Sequence, residues 1–297
     1  SQGKIIPFRG EDLVVDECTA DSFRGIDIVL FAGGSQSKQF ALDAVKAGAV
    51  VIDNSSAFRM DPNVPLVVPE VNPEDIRWHK GLIANPNCST IQMVVALKPL
   101  HDEAIIKRII VSTYQAVSGA GKEGMAALEQ EVKEYAASGK NPKFLTSSAF
   151  PYPIAFNCIP QIDSFLADGY TKEEMKMVDE TRKMFHDNTI AINATTVRVP
   201  VFRSHSESIT IETEKPLSPE RAKEVLSAAP GVVLQDTPAN QEYPMPLFSA
   251  GTDEVYVGRI RKDISSANGL SLWVVADQIR KGAATNAIQI AELLINQ

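Results

Sequence analysis

Continuous apolar runs alternate with helical segments near the start of the chain. Residues 26–31 and 49–52 are almost entirely apolar, and residues 36–47 between them have a helical pattern. Strands covered on both faces have such continuous runs, and two of them joined by a helix are typical of a parallel α/β unit. Another apolar run at 81–84 predicts a further strand. The pattern therefore predicts an α/β fold.

Small and polar residues follow both strands of this unit, at 32–35 and 53–56. Doubly wound sheets bind ligands at the carboxyl edges of their strands, and a glycine there, such as Gly33, lets the backbone approach a phosphate or a ribose. One such edge could be simple turn punctuation. Two successive edges favour a nucleotide site, so we predict a Rossmann-like dinucleotide-binding domain.

The chain before residue 26 contains no glycine-rich strand-turn-helix. A dinucleotide-binding domain normally opens with that element, whose helix N-terminus takes the pyrophosphate. Here the sequence is typical of a loop that leads to a short strand at 13–15. It predicts that a first β-α unit of at least about thirty residues is missing. We expect the chain on its own to bind a dinucleotide poorly.

The pattern changes from about residue 105 to strands interleaved with amphipathic helices. Strands are predicted at 109–117, 191–200 and 206–213. A helix begins after Thr171, whose hydroxyl can form a capping box with Glu174. We therefore predict a first domain at 1–88 and a second, α+β domain at 89–278, with a C-terminal helix at 279–297 that returns to the first domain.

Composition narrows the classes of function. The 297 residues are 44% hydrophobic and 22% charged, with a net charge of -8 and a pI near 5.2. Such a balance argues against nucleic acid or an anionic membrane as the main partner. The cysteines Cys18, Cys88 and Cys158 are too scattered for a disulfide framework and form no C-x-x-C pair, so we predict no metal site and a cytoplasmic location.

Cys88 lies where the apolar strand at 81–84 gives way to a helical run, within Pro-Asn-Cys-Ser-Thr at 86–90. A thiol at a helix N-terminus faces unpaired backbone N–H groups and the positive end of the helix dipole, which favour the thiolate. The alternative is a small buried hydrophobe. Cys88 is the candidate nucleophile.

His205 is the best-placed partner for such a thiol. The other histidines are His79 and His186, among charged residues, and His101, at the end of the helix after Cys88. His205 stands among serines and Glu207 at a strand edge, where neighbours could orient the ring. Arg198 lies seven residues earlier, so both can face one site only if Pro200 and the following turn break the strand alternation.

Five segments together resemble one family. They are 86–90, 114–121, 151–157, 198–201 and 205–208. In this combination and order they closely resemble the bacterial type of aspartate-β-semialdehyde dehydrogenase, over essentially the whole chain. The departure is the front of the chain, where residues 1–4 resemble the loop that follows the family's second strand and contacts the 2'-phosphate of the cofactor.

The resemblance implies a two-stage reaction on a thiol. Cys88 would attack the aldehyde of aspartate semialdehyde, the hemithioacetal would give hydride to NADP, and phosphate would resolve the thioester to β-aspartyl phosphate. The metabolic direction, toward lysine, methionine and threonine, is the reverse. A thioester suits this chemistry because it is a good acyl donor. His205 would act as acid and base, and Gln115 would position the substrate.

The resemblance also implies the groups that hold the substrates. Arg198 would bind the α-carboxylate and Glu173 the α-ammonium, while Arg59, Lys176 and Asn87 would hold phosphate. By spacing alone, Glu173 and Lys176 would form a surface ion pair. The family's chemistry instead favours one acid for the amine and one base for the phosphate.

The cofactor implied by the resemblance is NADP, and the family is homodimeric. The implied contacts are Ser1, Gly33, Asn54, Ser55, Ser118, Gly119 and Gln278. Because the pyrophosphate turn is missing, we expect little or no dehydrogenase activity from the chain alone. Two alternatives stay open: a non-catalytic relative that acts as a dimerising scaffold, and a cysteine-dependent acyltransferase or hydrolase.

Overall fold

Three β-sheets organise residues 2–32, 34–140 and 149–296, which a computed structural model describes. The strands are β1 (Ile5–Phe8), β2 (Glu11–Val14), β3 (Ile28–Phe31), β4 (Val50–Asp53), β5 (Leu82–Ala84), β6 (Ile106–Gln115), β7 (Ala191–Arg198), β8 (His205–Thr213), β9 (Val232–Leu234), β10 (Val255–Lys262) and β11 (Gly269–Ala276). The α-helices are α1 (Ser35–Lys46), α2 (Cys88–Ala104), α3 (Gly121–Ser138), α4 (Lys172–Phe185), α5 (Pro219–Ser227), α6 (Pro246–Ser249) and α7 (Thr285–Ile295). Within the described part of the chain, no helix is both long and apolar enough to span a bilayer.

The parallel sheet β3-β4-β5 confirms the predicted α/β unit. α1 connects β3 to β4, and the register pairs Phe31 with Asp53 and Asp53 with Ala84. The carboxyl ends of the three strands therefore meet at one edge. Asp53 is buried there and accepts hydrogen bonds from the hydroxyls of Ser37 and Ser55, both over 2.6 Å. This edge is the one that the sequence predicts for a nucleotide.

The six-stranded sheet has the order β7-β6-β8-β11-β10-β9. Its register places Gln115 beside Arg198, and Ala276 beside His205, at one end of the sheet. Helix α2 crosses this sheet, and both contribute to the main hydrophobic core. Gln92, near the start of α2, donates from Nε2 to the carbonyl of His205 over 3.4 Å, so the start of α2 lies at the same end of the sheet as Gln115.

One local prediction was wrong in part. The residues before the predicted strand at 13–15 do not form a loop, because β1 pairs with β2, which overlaps that strand, in an antiparallel hairpin whose apolar side chains, such as Phe8 and Val14, are exposed. The predicted C-terminal helix is present, but its first turn, Arg280–Ala284, is a π-helix that runs directly into α7. There the N–H of Gly282 bonds to the carbonyl of Asp277 over 3.3 Å, five residues back.

Helix α7 packs against the first part of the chain. Ala287 and Ile290 of this helix lie in one buried cluster with Ile52 of β4 and Ile83 of β5. The residues at the end of the chain therefore complete a core that residues before Cys88 begin. The boundaries at 88 and 278 stay a prediction.

Candidate active site

Cys88 is the first residue of α2, and the residue before it caps the helix. The side-chain oxygen of Asn87 accepts hydrogen bonds from the N–H groups of Ser89, over 3.0 Å, and Thr90, over 3.2 Å. An asparagine in extended conformation at this position satisfies donors that the helix leaves unpaired. Cys88 keeps part of its surface accessible. Gly282 packs closely beside it, since a Cβ at this position would lie 3.0 Å from that of Cys88, which is tighter than an ordinary contact.

The thiol of Cys88 is not acidic in this arrangement. Burial raises the pKa of Cys88 to about 12, and the charge of Glu173 acts in the same direction. Arg59 and Arg198 lower the pKa, and so does a backbone hydrogen bond from Ser89, but by less. The contribution expected from the helix N-terminus is present in the Ser89 contact, but desolvation outweighs both this contact and the surrounding positive charge, so the pKa of Cys88 is raised.

Helix α4 supplies one wall of the site. The predicted capping box is present, since the N–H of Glu174 donates to Thr171 Oγ1 over 3.3 Å and the N–H of Thr171 donates to Glu174 Oε2 over 2.7 Å. Glu173, which precedes Glu174 on the helix, is buried. Its Oε1 accepts from the amide nitrogens of Asn87, over 2.9 Å, and Gln115, over 3.4 Å. Glu173 thus joins two other predicted site residues, Asn87 and Gln115.

Lys176 lies between two carboxylates. Its Nζ is 3.1 Å from Glu173 Oε2 and 2.9 Å from Asp163 Oδ2. Burial lowers the pKa of Lys176, but the two carboxylates outweigh burial and raise it. The ion pair that the spacing of Glu173 and Lys176 predicts is therefore present. It is partly buried, and it leaves Lys176 charged at the rim of the site.

Glu180 is a site residue that the sequence reasoning missed. It is buried, its Oε1 accepts from Arg59 Nη1 over 3.0 Å, and its Oε2 accepts from the N–H of Asn87 over 2.6 Å. Burial raises the pKa of Glu180, although Arg59 opposes this. The available signal was the spacing of seven residues from Glu173, which puts both carboxylates on one face of α4.

Arg59 connects this wall to the edge of the parallel sheet. Its Nε donates to the carbonyl of Ser55 over 3.1 Å, and its Nη2 donates to the carbonyl of Asn54 over 2.8 Å. Glu180 takes the third contact. The guanidinium therefore fixes the predicted cofactor loop relative to α4. Asn87, which the sequence also predicts as a phosphate contact, uses its side chain for the helix cap and for Glu173.

His205, Arg198 and Gly119 form the opposite wall. The break between β7 and β8 brings Arg198 and His205 together, as their spacing requires for joint action. A Cβ at Gly119 would lie 2.7 Å from Arg198 Nη1 and 3.2 Å from His205 Nε2. Burial, and then the charge of Arg198, lower the pKa of His205 well below its usual range. His205 is therefore neutral.

The ring of His205 has one nitrogen in use. Its Nδ1 accepts from the N–H of Ala116 over 3.1 Å, and Arg198 Nη1 donates to the carbonyl of the same residue over 2.7 Å. Nε2 is buried and has no hydrogen-bond partner among the residues that the structure describes. A neutral ring that accepts at Nδ1 carries its proton on Nε2. The site thus holds a hydrogen-bond donor without a partner.

The predicted cofactor residues that the structure describes lie in two places, beside His205 and at the edge of the parallel sheet. Ser1 and Gly33 lie outside the described residues. Gln278 donates to Ser118 Oγ and accepts from the N–H of Ser204 over 2.9 Å, beside the His205 wall. Asn54 donates to the carbonyl of Phe31 over 2.9 Å, while its Oδ1 is buried and unpaired within the described ranges. An acceptor left unpaired at this edge fits a ligand that carries hydroxyl or amide donors.

Two family models and a curated relative match the sequence of this chain. Residues 1–79 match the family described as semialdehyde dehydrogenase, NAD binding domain, and residues 97–281 match the semialdehyde dehydrogenase dimerisation domain. The chain is 60% identical to an aspartate-semialdehyde dehydrogenase of Aquifex aeolicus, over 100% of this chain and 88% of that protein.

Solved structures agree with the sequence comparison. One is aspartate semialdehyde dehydrogenase II of Vibrio cholerae complexed with ASA, with a TM-score of 0.94 and 48% identity, covering 100% of this chain and 88% of that one. Another is the Candida albicans aspartate semialdehyde dehydrogenase with NADP, with a TM-score of 0.75 and 26% identity, covering 99% of this chain and 84% of that one.

Proposed function

The chain belongs to the aspartate-semialdehyde dehydrogenase family, and from that premise we propose that it interconverts β-aspartyl phosphate and aspartate semialdehyde through a thioester on Cys88. The observation that carries the proposal is the position of Cys88, which heads α2 and is close enough to Glu173 on one wall and Arg198 on the other for both charges to act on its thiol. No other described cysteine lies at the N-terminus of a helix.

In the biosynthetic direction, the sulfur of Cys88 attacks the acyl carbon of β-aspartyl phosphate. The bond from that carbon to the phosphate oxygen breaks, phosphate leaves, and a thioester remains. Hydride addition converts the thioester into a hemithioacetal, whose carbon-sulfur bond then breaks to release the aldehyde. Deprotonation of Cys88 requires nearby positive charge, because burial raises the pKa of its thiol. Arg59 and Arg198 supply the positive charge that favours it.

His205 would act on the oxygen of the intermediate. Its Nε2–H lies in the site without a protein partner in the described structure, so it can donate to an oxygen that gains negative charge. The Nδ1 contact with Ala116 holds the ring in this orientation. Gln115, held by Glu173, would orient the substrate beside it. These roles are proposals that rest on the contacts of each side chain.

Charge complementarity supports the substrate contacts. The planar guanidinium of Arg198 suits an α-carboxylate, and the buried carboxylate of Glu173 suits an α-ammonium group. Lys176 and Arg59 are positively charged and flank Glu173 and Asn87, so they would hold phosphate. Asn87 would contribute mainly by fixing the turn before Cys88.

NADP is the cofactor that we propose, and it would supply or accept the hydride. Asn54, Ser55, Ser118, Gly119 and Gln278 would hold it, together with Ser1 and Gly33. The unpaired acceptor of Asn54 at the sheet edge supports this assignment. We also propose a homodimer, because residues 97–281 match a dimerisation domain. A cytoplasmic location stays a prediction.

Two assays on the protein test the function. The first measures whether aspartate semialdehyde protects Cys88 from alkylation by iodoacetamide, which does not depend on the cofactor. The second measures NADPH formation with semialdehyde, NADP and phosphate. We expect protection in the first assay. Phosphate-dependent NADPH formation in the second would establish the reaction, and it would contradict the expectation of little or no dehydrogenase activity from the chain alone. Cys88→Ala should abolish turnover, whereas Cys158→Ala, which removes an exposed cysteine, should not.

The other outcomes identify the alternatives. Free aspartate and phosphate released from β-aspartyl phosphate by water, with no NADPH consumed, would favour the hydrolase or acyltransferase. Absence of both protection and turnover would favour the non-catalytic scaffold. Turnover that survives Cys88→Ala would contradict the thioester route itself.

A further inference from the structure

We propose that Glu180 is a positioning residue of this site, whose single buried carboxylate fixes both Arg59 and the turn that presents Cys88. The proposal rests on the function proposed above for the roles of Cys88 and phosphate. We assign Glu180 no contact with the substrate. It acts through Asn87 and Arg59, the two groups that it contacts.

The geometry of Glu180 is that of a connector. Its two oxygens bind different chain segments: Oε2 accepts from the N–H of Asn87 over 2.6 Å, and Oε1 accepts from Arg59 over 3.0 Å. The side chain of Glu180 is 2% exposed and that of Arg59 is 9% exposed. Charge-assisted hydrogen bonds in such a dry setting hold their partners firmly. Losing the carboxylate would leave a buried N–H without its acceptor and a buried guanidinium without its counter-ion.

The contact with Asn87 reaches Cys88 directly along the chain. Asn87 caps α2 with its side chain, while its backbone N–H is held by Glu180 and its amide nitrogen is held by Glu173. Glu173 and Glu180 are two turns apart on α4. Helix α4 therefore holds Asn87, the residue before Cys88, by two hydrogen bonds. A shift of Glu180 would move Cys88.

The contact with Arg59 determines how the guanidinium faces an anion. An arginine has five N–H donors, and three of those of Arg59 bind Ser55, Asn54 and Glu180. Two remain for an anion such as phosphate. Without Glu180, the guanidinium could rotate about its other contacts, and the donors would no longer point in a fixed direction.

Glu180 also offsets charge near the thiol. Arg59 lowers the pKa of Cys88, and Glu180 is the counter-ion of Arg59. Glu180→Gln would remove the counter-ion while preserving the size of the side chain. The field of Arg59 at Cys88 would then be less compensated, and the thiolate fraction would increase.

The test compares Glu180→Gln, Glu180→Asp and the control Glu129→Gln. Glu129 also pairs with a cation, Lys133 at 2.6 Å, but both side chains of that pair are exposed. Two readouts are needed: the KM for phosphate against kcat, and the alkylation rate of Cys88 by iodoacetamide at pH 8. The second does not require turnover, so it stays valid if the proposed function is wrong.

For Glu180→Gln we expect the KM for phosphate to rise about tenfold with a smaller fall in kcat, and alkylation to become about threefold faster. Glu180→Asp keeps the charge but withdraws the carboxylate by one methylene, so KM should rise without faster alkylation. Glu129→Gln should change neither quantity. Far-UV circular dichroism of each variant verifies the fold, and Glu180→Asp carries the test if Glu180→Gln does not fold.

A double variant separates Glu180 from a purely structural role. If Glu180 acts on phosphate through Arg59, Glu180→Gln added to Arg59→Gln should raise the KM no further than Arg59→Gln alone. Equal, additive losses would contradict that route. An unchanged phosphate KM together with an unchanged alkylation rate in Glu180→Gln would overturn the proposal. Absence of any phosphate dependence in the wild-type protein would instead refute the proposed function.

Discussion

The backbone N–H of Ala116 donates to Nδ1 of His205 over 3.1 Å. This one contact decides which nitrogen of the ring carries the proton. A protonated Nδ1 would place two N–H groups against each other, so the imidazolium is disfavoured. Burial and the charge of Arg198 act in the same direction on the pKa of His205. The ring is therefore a neutral donor at Nε2.

The tautomer of His205 can be measured by ¹⁵N NMR of histidine-labelled protein. We expect a protonated Nε2, an unprotonated Nδ1, and no titration of this ring between about pH 6 and 8. Since the folded-state pKa is lowered, His205 reduces stability only as the pH falls below the unfolded value of about 6.5. His205→Gln assigns the signal by its loss. A protonated Nδ1 would contradict the donor role at Nε2.

The raised pKa of Cys88 predicts slow alkylation at neutral pH. With a pKa of about 12, the thiolate fraction rises about tenfold for each pH unit. We therefore expect the rate of iodoacetamide labelling of Cys88 to keep rising between about pH 7 and 10, as followed by mass spectrometry of the peptide. Labelling of the exposed Cys158, followed in the same samples, shows whether the iodoacetamide is active at each pH. A rate that levels off below about pH 9 would show that the free thiol is already activated.

Local signals explain the part of the site that the sequence predicts correctly. The β3-α1-β4 unit follows from two apolar runs and a helical pattern, and the start of α4 follows from Thr171 and Glu174. The N-terminal position of Cys88 follows from the change from strand to helix. Each of these features depends on neighbours within a few residues.

Features that depend on distant packing were not predictable. Glu180 meets Asn87 across 93 positions of the sequence, and its spacing from Glu173 indicates a shared face of α4 but not this contact. The high pKa of Cys88 comes from desolvation by the folded protein, which a motif does not contain. The π-helix at Arg280–Ala284 likewise arises where the end of the chain packs against Cys88.

Glu207 should destabilise the protein as the pH rises. It is fully buried on β8, and burial raises its pKa well above the usual range, with weak opposition from Gln92. The folded protein therefore keeps a proton that the unfolded chain loses above about pH 4.3. Stability falls with rising pH until the folded-state pKa is passed, by up to about 1.4 kcal/mol per pH unit.

Glu207→Gln removes this proton linkage while preserving the shape of the side chain. We expect the variant to gain stability over the wild-type protein, and the gain to increase from pH 5 to pH 8 by roughly 1 to 3 kcal/mol. Urea unfolding at several pH values measures it. Glu129→Gln, at an exposed carboxylate, should show no such gain. A constant or negative difference across the pH range would mean that Glu207 is ionised in the folded protein.

Two ion pairs of equal length, one buried and one exposed, should differ in energy. Lys281 and Glu70 are 2.6 Å apart, and so are Lys133 and Glu129. The side chain of Lys281 is 0% exposed, whereas that of Lys133 is 66% exposed. Removing one partner of a buried pair strands the other charge at a cost of about 3 to 5 kcal/mol, whereas an exposed pair contributes about 0 to 1 kcal/mol.

Lys281→Met should therefore lower the thermal midpoint strongly, and Lys133→Met should barely change it. Lys281 Nζ also donates to Oε1 of Gln289 in α7 over 2.6 Å. Lys281 precedes Gly282, which packs against Cys88. We thus expect Lys281→Met to change the alkylation rate of Cys88 as well as stability. If both methionine variants lost the same amount of stability, distance rather than burial would control the energy of these pairs. In the double variant Lys281→Met with Glu70→Gln, which removes the stranded charge, most of the lost stability should return.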